Sequence, residues 1–290
     1  MPAFTIEDVV RGTQGALVGG DLGVLVSGVS IDSRSLAVGE AFFAIHGHRL
    51  DGHAFLRDAV GRGAACLVVD ALSDDLPPGV PVVLVDETTR ALGRLARWHR
   101  ARFAVPVAAV TGSNGKTTTK EMMASTLGAL GPVLKPESSF NNQWGLPLTL
   151  LRLGPAHRAV TLEFGANLPG EIAALAEISR PTVGVVTMVA ASHTEFLGSL
   201  DMIAAEKGAL VAAIPADGAV VLNADDARVL GMRARSQARV LTVSAAGGPA
   251  DLRLAGPPQE TETGLLLTLD LQGLRRVARL AFAGRHNAAN

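Results

Sequence analysis

The sequence predicts an α/β protein: a small α/β N-terminal unit, then a larger unit on a mostly parallel sheet with an antiparallel edge. Three observations carry this. Short Val- and Ile-rich runs alternate with amphipathic stretches from Ala65 to Asn223, and such alternation marks a parallel sheet covered by helices. At Val107–Leu130 an apolar run passes through a glycine turn straight into a helical pattern. From Leu252 to Ala283 apolar and polar residues alternate, with Leu265, Leu267, Leu269 and Leu271 two apart. That is the period of strands with one buried face.

Taken in order, Ala65–Val69 and Val80–Val85 read as strands, separated by the turn-rich Ser73–Gly79. Thr88–Arg102 reads as a helix, with Leu92, Leu95, Ala96 and Trp98–His99 on one side and arginines on the other. Pro106 stops it. Val107–Val110 is a strand and Lys116–Leu130 a helix, whose apolar side is Met122, Met123, Thr126, Leu127 and Leu130, with Gly131-Pro132 just beyond. Ala159–Glu163, Val183–Met188 and Gly218–Asn223 follow as strands, with helices at Pro169–Ile178 and Ser199–Ala213. The tail Leu252–Ala283 adds antiparallel strands at the edge of the same domain. A boundary near Asp86 gives units 1–85 and 86–290, and Ala245–Pro249 is linker-like.

Composition narrows the function. The chain is 48% hydrophobic and 18% charged, which is globular and not disordered. A net charge of −1 supplies no field to attract nucleic acid or an anionic membrane. A phosphate-bearing ligand must therefore be held by a local site. The lone cysteine, Cys66, cannot form an internal disulfide and reads as a buried small hydrophobe. Met1–Asp8 has neither the basic head nor the apolar run of a signal peptide. No run reaches the ~20 apolar residues of a membrane span. A cytoplasmic, monomeric protein without membrane insertion is expected.

The chemistry starts at Thr111-Gly112-Ser113-Asn114-Gly115-Lys116-Thr117-Thr118. A strand enters a glycine turn that opens a helix, so backbone N–H groups and the helix dipole can meet a phosphate. Lys116 is placed to meet the β- and γ-phosphates of ATP, and the Thr117 hydroxyl to ligate Mg²⁺. The full pattern G-x-x-x-x-G-K-[ST] fails at its first position, which is Val110. The flanking strand and helix nevertheless supply the context that the pattern requires.

The stretch Ala108–Met122 is similar to the phosphate loop of the Mur ligase family. Phe140–Leu151 is similar to that family's Asn-Asn-x-x-Gly-x-Pro segment, and Leu162–Ile172 to its Glu-x-Gly-x-Asn-x-x-Gly-Glu-Ile segment. Ser192–Ser199 and Ala205–Gly208 resemble its His-x-Glu and Ala-x-Lys-Gly elements. In the first unit Asp32-Ser33-Arg34, Phe42-Phe43-Ala44 and Asp51-Gly52-His53 resemble its nucleotide-sugar pocket. The resemblance covers essentially the whole chain, in the same order. Thr119-Lys120-Glu121-Met122 is most like the branch that joins D-alanyl-D-alanine to UDP-N-acetylmuramoyl-tripeptide.

The resemblance implies a cytoplasmic ATP-dependent ligase of peptidoglycan precursor synthesis, with ATP and Mg²⁺ as cofactors. It implies a small UDP-sugar domain at 1–85 and a central ATPase domain at 86–290. Glu163 would complete the Mg²⁺ shell begun by Thr117; read alone it is a solvated acid at a strand end. His193 would hold a second Mg²⁺ together with Lys207, the latter carbamylated so that a cation becomes an oxygen ligand. His286, Asn287 and Asn290 would contact adenine. Ser33 and Arg34 would hold the uridine diphosphate end, and Asn141 and Asn142 either the UDP-sugar or the nucleotide. With Lys116, Glu163, His193 and Lys207 form the expected catalytic set. Ser139, Met188 and Ala209 depart from the family pattern but remove no metal ligand.

The chain stops inside the adenine-contacting element, so the family's C-terminal amine-binding domain is expected to be absent and the 290 residues alone inactive. Two other readings stand beside this one: a sister ligase adding a diamino acid, and a non-catalytic module that binds nucleotide or UDP-sugar.

Overall fold

The structure, a computed structural model, describes residues 4–47, 49–72, 76–137, 140–191, 198–281 and 284–289. Two compact units emerge. The first comprises Met1–Ala104 and Gln143–His157, the second Val105–Asn142 and Arg158–Asn290.

In the first unit a reciprocal cap starts the first helix. The Thr5 hydroxyl accepts the Asp8 N–H at 3.2 Å, and the Asp8 carboxylate accepts the Thr5 N–H at 3.0 Å. This joins strand β1 (Phe4–Thr5) to helix α1 (Ile6–Thr13). Strands β2 (Ala16–Val18), β3 (Leu25–Val26), β4 (Gly28–Ser30) and β5 (Glu40–Phe43) follow. Then come helix α2 (Leu56–Gly61), strands β6 (Cys66–Val69) and β7 (Val82–Leu84), and helix α3 (Thr88–Arg100). Strands β4, β5, β6 and β7 pair in parallel, β2 joins β7 antiparallel, and β3 pairs with β1. All four residues of β6 are buried, as expected for a strand covered on both faces. Cys66 is among them, and burial pushes its thiol up to about 12.

The units part after Ala104, whereas the sequence reading placed the boundary near Asp86. The physical reason is helix α3. Its apolar side, Ala91, Leu92, Leu95 and Ala96, is fully buried and packs against α1 within the first unit. Each leucine buried in this way stabilises by roughly 1.5–3 kcal/mol. The helix expected just after the boundary is thus a core element of the first unit. His99 belongs to the same buried face: Nε2 lies 2.8 Å from the Leu153 carbonyl, with Phe4 and Phe103 against the ring.

The second unit is built on strand β8 (Val107–Thr111), every residue of which is buried. Helix α4 (Lys116–Leu127) and strand β9 (Val133–Leu134) follow. The chain then contributes α5 (Gly145–Leu150) to the first unit before returning. Strand β10 (Ala159–Glu163), helix α6 (Glu171–Ser179), strand β11 (Val183–Val186), helix α7 (Leu200–Ala213), strand β12 (Ala219–Asn223), helix α8 (Ala227–Gly231) and strand β13 (Arg239–Ser244) continue the alternation. The parallel order is β9, β10, β8, β11, β12, β13 and then β14 (Leu252–Leu254). The antiparallel edge is β15 (Gln259–Thr261), β16 (Gly264–Leu271) and β17 (Leu274–Leu280). The α/β class, the parallel sheet and the antiparallel edge agree with the sequence reading.

Details differ at element ends. Helix α4 stops at Leu127 and Gly128–Leu130 continue as a 3-10 turn. Its buried residues are Thr119, Lys120 and Ala124, while Thr126 and Leu130 are exposed; Met122 and Met123 are only half-buried. Helix α6 starts at Glu171 because Gly170 takes φ +90° before it. Strand β11 ends at Val186, not Met188, because Thr187 and Met188 turn toward the glycine loop. The linker-like loop is tied down: the Asp225 carboxylate accepts the N–H groups of Ala245 and Ala246 and the Ser244 hydroxyl.

Candidate active site

Strand order reverses around β8, with β10 and β9 on one side and β11 and β12 on the other. Ligands of open α/β sheets bind beyond the carboxyl ends of strands at such a reversal. Register aligns those ends: Glu163 lies opposite Val110, and Val186 opposite Thr111. The expected loop residues therefore come together with Glu163 by sheet geometry.

The loop is shaped by two glycines. Gly112 has φ +152°, and a Cβ there would sit 1.8 Å from the Thr187 hydroxyl. Gly115 has φ +83° and occupies the N-cap of α4, leaving the first N–H groups of that helix free of a side-chain cap. The loop's outer wall comes from the segment after β11. The Thr187 hydroxyl donates to the Asn114 carbonyl at 2.6 Å. The Ser113 N–H donates to the Met188 carbonyl at 2.8 Å, and the Ser113 hydroxyl to the Ala190 carbonyl at 2.9 Å. The Thr111 hydroxyl is spent inward, on the Phe164 carbonyl at 3.0 Å.

Lys116 folds back over the loop, its Nζ donating to the carbonyls of Gly112 at 2.9 Å and Ser113 at 3.3 Å. Burial lowers its pKa, with Glu163 opposing. The Thr117 hydroxyl donates to Glu163 Oε2 at 2.8 Å, and Asn141 Nδ2 donates to Oε1 at 2.9 Å. Glu163 is 4% exposed, so a buried carboxylate is held at both oxygens at the start of α4. Thr117 and Glu163 place two hard oxygens side by side, which suits Mg²⁺ shared with a phosphate. The sequence reading left Asn141 open between the sugar and the nucleotide; the structure brings it to Glu163.

Lys207 on α7 is 5% exposed. Burial lowers its pKa to about 8, helped by the nearby Lys116 and opposed by Glu206. Among the described residues no carboxylate is within 4 Å of its ammonium. His193 and Asn290 lie outside the described residues, as do Ser139 and the side chain of His286. Asn287 sits in a 3-10 turn whose Ala288 packs on Leu254, Leu265 and Leu267, at the antiparallel edge.

Sequence reasoning missed several supporting groups. Glu206 accepts the N–H groups of Gly170 at 2.7 Å and Ile172 at 2.8 Å, anchoring the start of α6 beside Lys207. Asp226 caps α8 and also accepts the Val189 N–H at 2.7 Å. Its capping role is a readable signal; the second bond depends on tertiary placement.

In the first unit, Ser33 and Arg34 line a cavity of about 350 Å³ with Asp32, Phe42, Phe55 and Trp144. Ser33 is buried. Arg34 is exposed and grips Asp32 with two N–H bonds, at 2.9 and 2.7 Å. Trp144, missed by sequence reasoning, arrives from the 143–157 segment and donates to the Thr89 hydroxyl at 3.2 Å. The position of Asn142 in the second unit is exposed.

A parallel sheet with a glycine loop at its reversal point, a loop lysine and a Thr–Glu oxygen pair defines a phosphate-loop nucleotide-binding protein. The Mur ligase middle-domain model matches residues 110–290, and the Mur ligase family catalytic-domain model matches residues 25–100. The chain belongs to the Mur ligase family. It is 37% identical over 268 residues to the UDP-N-acetylmuramoyl-tripeptide–D-alanyl-D-alanine ligase of Synechocystis, covering 92% of this chain and 56% of that protein. To the Escherichia coli ligase of the same name it is 38% identical, covering 78% of this chain and 49% of that one. The chain thus spans about half the length of the curated relatives it matches. A crystal structure of MurF from Acinetobacter baumannii superposes with a TM-score of 0.89 at 28% identity, covering 100% of this chain and 64% of that one. MurF from Thermotoga maritima in complex with ADP superposes with a TM-score of 0.80 at 26% identity, covering 90% and 61%.

Proposed function

We propose that the protein carrying this chain is an ATP-dependent amide ligase acting in the cytoplasm, joining D-alanyl-D-alanine to UDP-N-acetylmuramoyl-tripeptide. The observation that carries this is the Thr117–Glu163–Asn141 chain of hydrogen bonds at the phosphate loop. Relatives at 37% and 38% identity bear that reaction in their names.

In this reading the loop N–H groups and Lys116 cradle the ATP phosphates. Thr117 and Glu163 hold Mg²⁺, which neutralises phosphate charge when bound. A carboxylate oxygen of the tripeptide attacks the γ-phosphorus, the bond to the β–γ bridging oxygen breaks, and ADP leaves. The amine of D-alanyl-D-alanine then attacks the acyl carbon, loses a proton, and displaces phosphate. Catalysis is chiefly positioning and charge neutralisation. Lys207 supports a carbamate, because the neutral amine is the form that adds CO₂ and burial favours that form. His193 would share that ligand's metal, and His286, Asn287 and Asn290 would meet adenine. Ser33 and Arg34 fit the diphosphate end of the UDP-sugar: the fork that now grips Asp32 can turn to a phosphate.

The test uses UDP-tripeptide and ATP without amine, with hydroxylamine as the trap for an acyl phosphate. Hydroxamate that requires Lys116 and Glu163 supports the reading. ATP binding without any hydroxamate, in the protein that also carries the remaining half of its relatives' length, overturns it.

A further inference from the structure

We propose that His46, His53 and Asp70 in the first unit form a binding site for a divalent transition-metal ion, with Asp51 orienting the two imidazoles. One donor atom from each of His46, His53 and Asp70 lies within 4.8 Å of the others. His46 Nε2 is 3.0 Å and His53 Nε2 3.3 Å from the same oxygen, Asp70 Oδ1. The rings stack, with centroids 4.8 Å apart and planes at 26°, so both Nε2 atoms face one way.

The opposite nitrogens both meet Asp51. His53 Nδ1 is 2.8 Å from Oδ1, and His46 Nδ1 is 3.2 Å from Oδ2. A carboxylate holding the far N–H of a ligating histidine fixes the tautomer and aims the lone pair at the metal. Here one carboxylate does this for two histidines. The Asp70 carboxylate is also held, its Oδ2 accepting the Thr88 N–H at 3.3 Å.

Proton counting shows why the cluster suits a dication. Four ring nitrogens face carboxylate oxygens, yet two neutral imidazoles carry only two N–H groups. With Asp51 taking both, two Nε2 lone pairs are left pointing at an anionic oxygen. His53 Nε2 is buried and has no hydrogen-bond partner among the described residues. Two extra protons or one divalent cation would resolve the conflict, and the cation also cancels the charge of the two carboxylates.

Two imidazoles and one carboxylate favour Zn²⁺, Co²⁺ or a similar ion over Mg²⁺, which prefers oxygen alone. Tetrahedral ligation sets donors roughly 3.4 Å apart, given metal–ligand distances of about 2.0–2.1 Å. Two of the three separations are already close to that. His46 is half exposed, giving an entry path and room for a water as fourth ligand. The bound ion would tie the loop that carries Gly47, Leu50 and Gly52, which line the 350 Å³ cavity, to the end of β6.

The test is Co²⁺ titration of the 290-residue chain in excess Mg²⁺, read by visible d–d absorption, with Zn²⁺ competition and melting curves. Expected is one Co²⁺ equivalent in the tetrahedral-type spectrum, displaced by Zn²⁺, and a rise in Tm with Zn²⁺. His46→Gln, at a half-exposed position that leaves the core intact, loses that equivalent and the Tm rise. Asp51→Asn weakens Zn²⁺ binding about 10- to 100-fold. No tetrahedral-type spectrum, or an unchanged one in both His46→Gln and His53→Gln, overturns the proposal.

Discussion

The Thr117 hydroxyl donates a 2.8 Å hydrogen bond to Glu163 Oε2, joining the first turn of α4 to the carboxyl end of β10. Among the described residues, the other side-chain hydrogen bond to Glu163 comes from Asn141. The Thr117 bond fixes one hydroxyl oxygen and one carboxylate oxygen side by side at the phosphate loop. Glu163→Gln keeps the shape but removes the charge. We expect Mg²⁺-dependent ATP binding to weaken roughly 10- to 100-fold, while metal-free nucleotide binding changes little. Calorimetric titration with and without Mg²⁺ measures both. Equal weakening in the two conditions would assign Glu163 to the nucleotide and not to the ion.

Gly112 is required twice over, by its φ of +152° and by the Thr187 hydroxyl 1.8 Å from any added Cβ. Gly112→Ala should lower stability by about 1–3 kcal/mol and abolish nucleotide binding. Pairing it with Thr187→Ala removes the hydroxyl clash but neither the tight contacts with the Thr187 Cβ and the Met188 nitrogen nor the backbone strain, and also frees the Asn114 carbonyl. Partial recovery of Tm without recovery of binding is the expected pattern, measured by calorimetry.

Much of this was legible in the sequence, and the limits are physical. The phosphate loop could be read because its chemistry is local: strand, glycine turn, lysine and helix are contiguous. Helix α1 carried a readable Thr5–Asp8 cap and an apolar side of Ile6, Val9 and Thr13, but it spans only eight residues. The membership of α3 in the first unit was not readable, since Leu92 and Leu95 announce a buried face without saying what buries it. The partner of Asn141 was open for the same reason: its contact with Glu163 spans 22 residues and depends on β10 lying beside β9, the strand that precedes Asn141. The resemblance to a family supplied Glu163 and Lys207, which residue chemistry alone would have left as an ordinary acid and a surface lysine.

Lys207 gives a pH dependence with a definite sign. Its pKa is lowered to about 8 in the fold, from an ordinary value of 10.5. Between those values the unfolded chain holds more protons on this group, so its contribution to stability becomes more favourable as pH rises from about 8 to 10.5. The neutral amine, populated above about 8, is the species that adds CO₂. At fixed dissolved ¹³CO₂, the carbamate carbon resonance should therefore grow from pH 6.5 to 8.5 and vanish in Lys207→Ala. A resonance that is unchanged in the variant would place the carbamate elsewhere.

His99 acts in the opposite pH range. It is 1% exposed, its Nε2 donates to the Leu153 carbonyl at 2.8 Å, and Nδ1 is buried without a hydrogen-bond partner among the described residues. Burial first, then the charge of Arg102, lowers its pKa below 6.5. The neutral ring is thus the folded form, and below pH 6.5 the unfolded chain takes up the proton more readily. Stability from this group is complete above 6.5 and is lost as pH falls toward the folded value. His99→Gln can keep the bond to Leu153 through its amide N–H yet cannot titrate. It should cost stability at pH 7.5, through lost contact with Phe4 and Phe103, while its Tm falls less steeply than the parent's between pH 6.5 and 5. Parallel Tm profiles for parent and variant across that interval would show that protonation of His99 does not drive the acid loss.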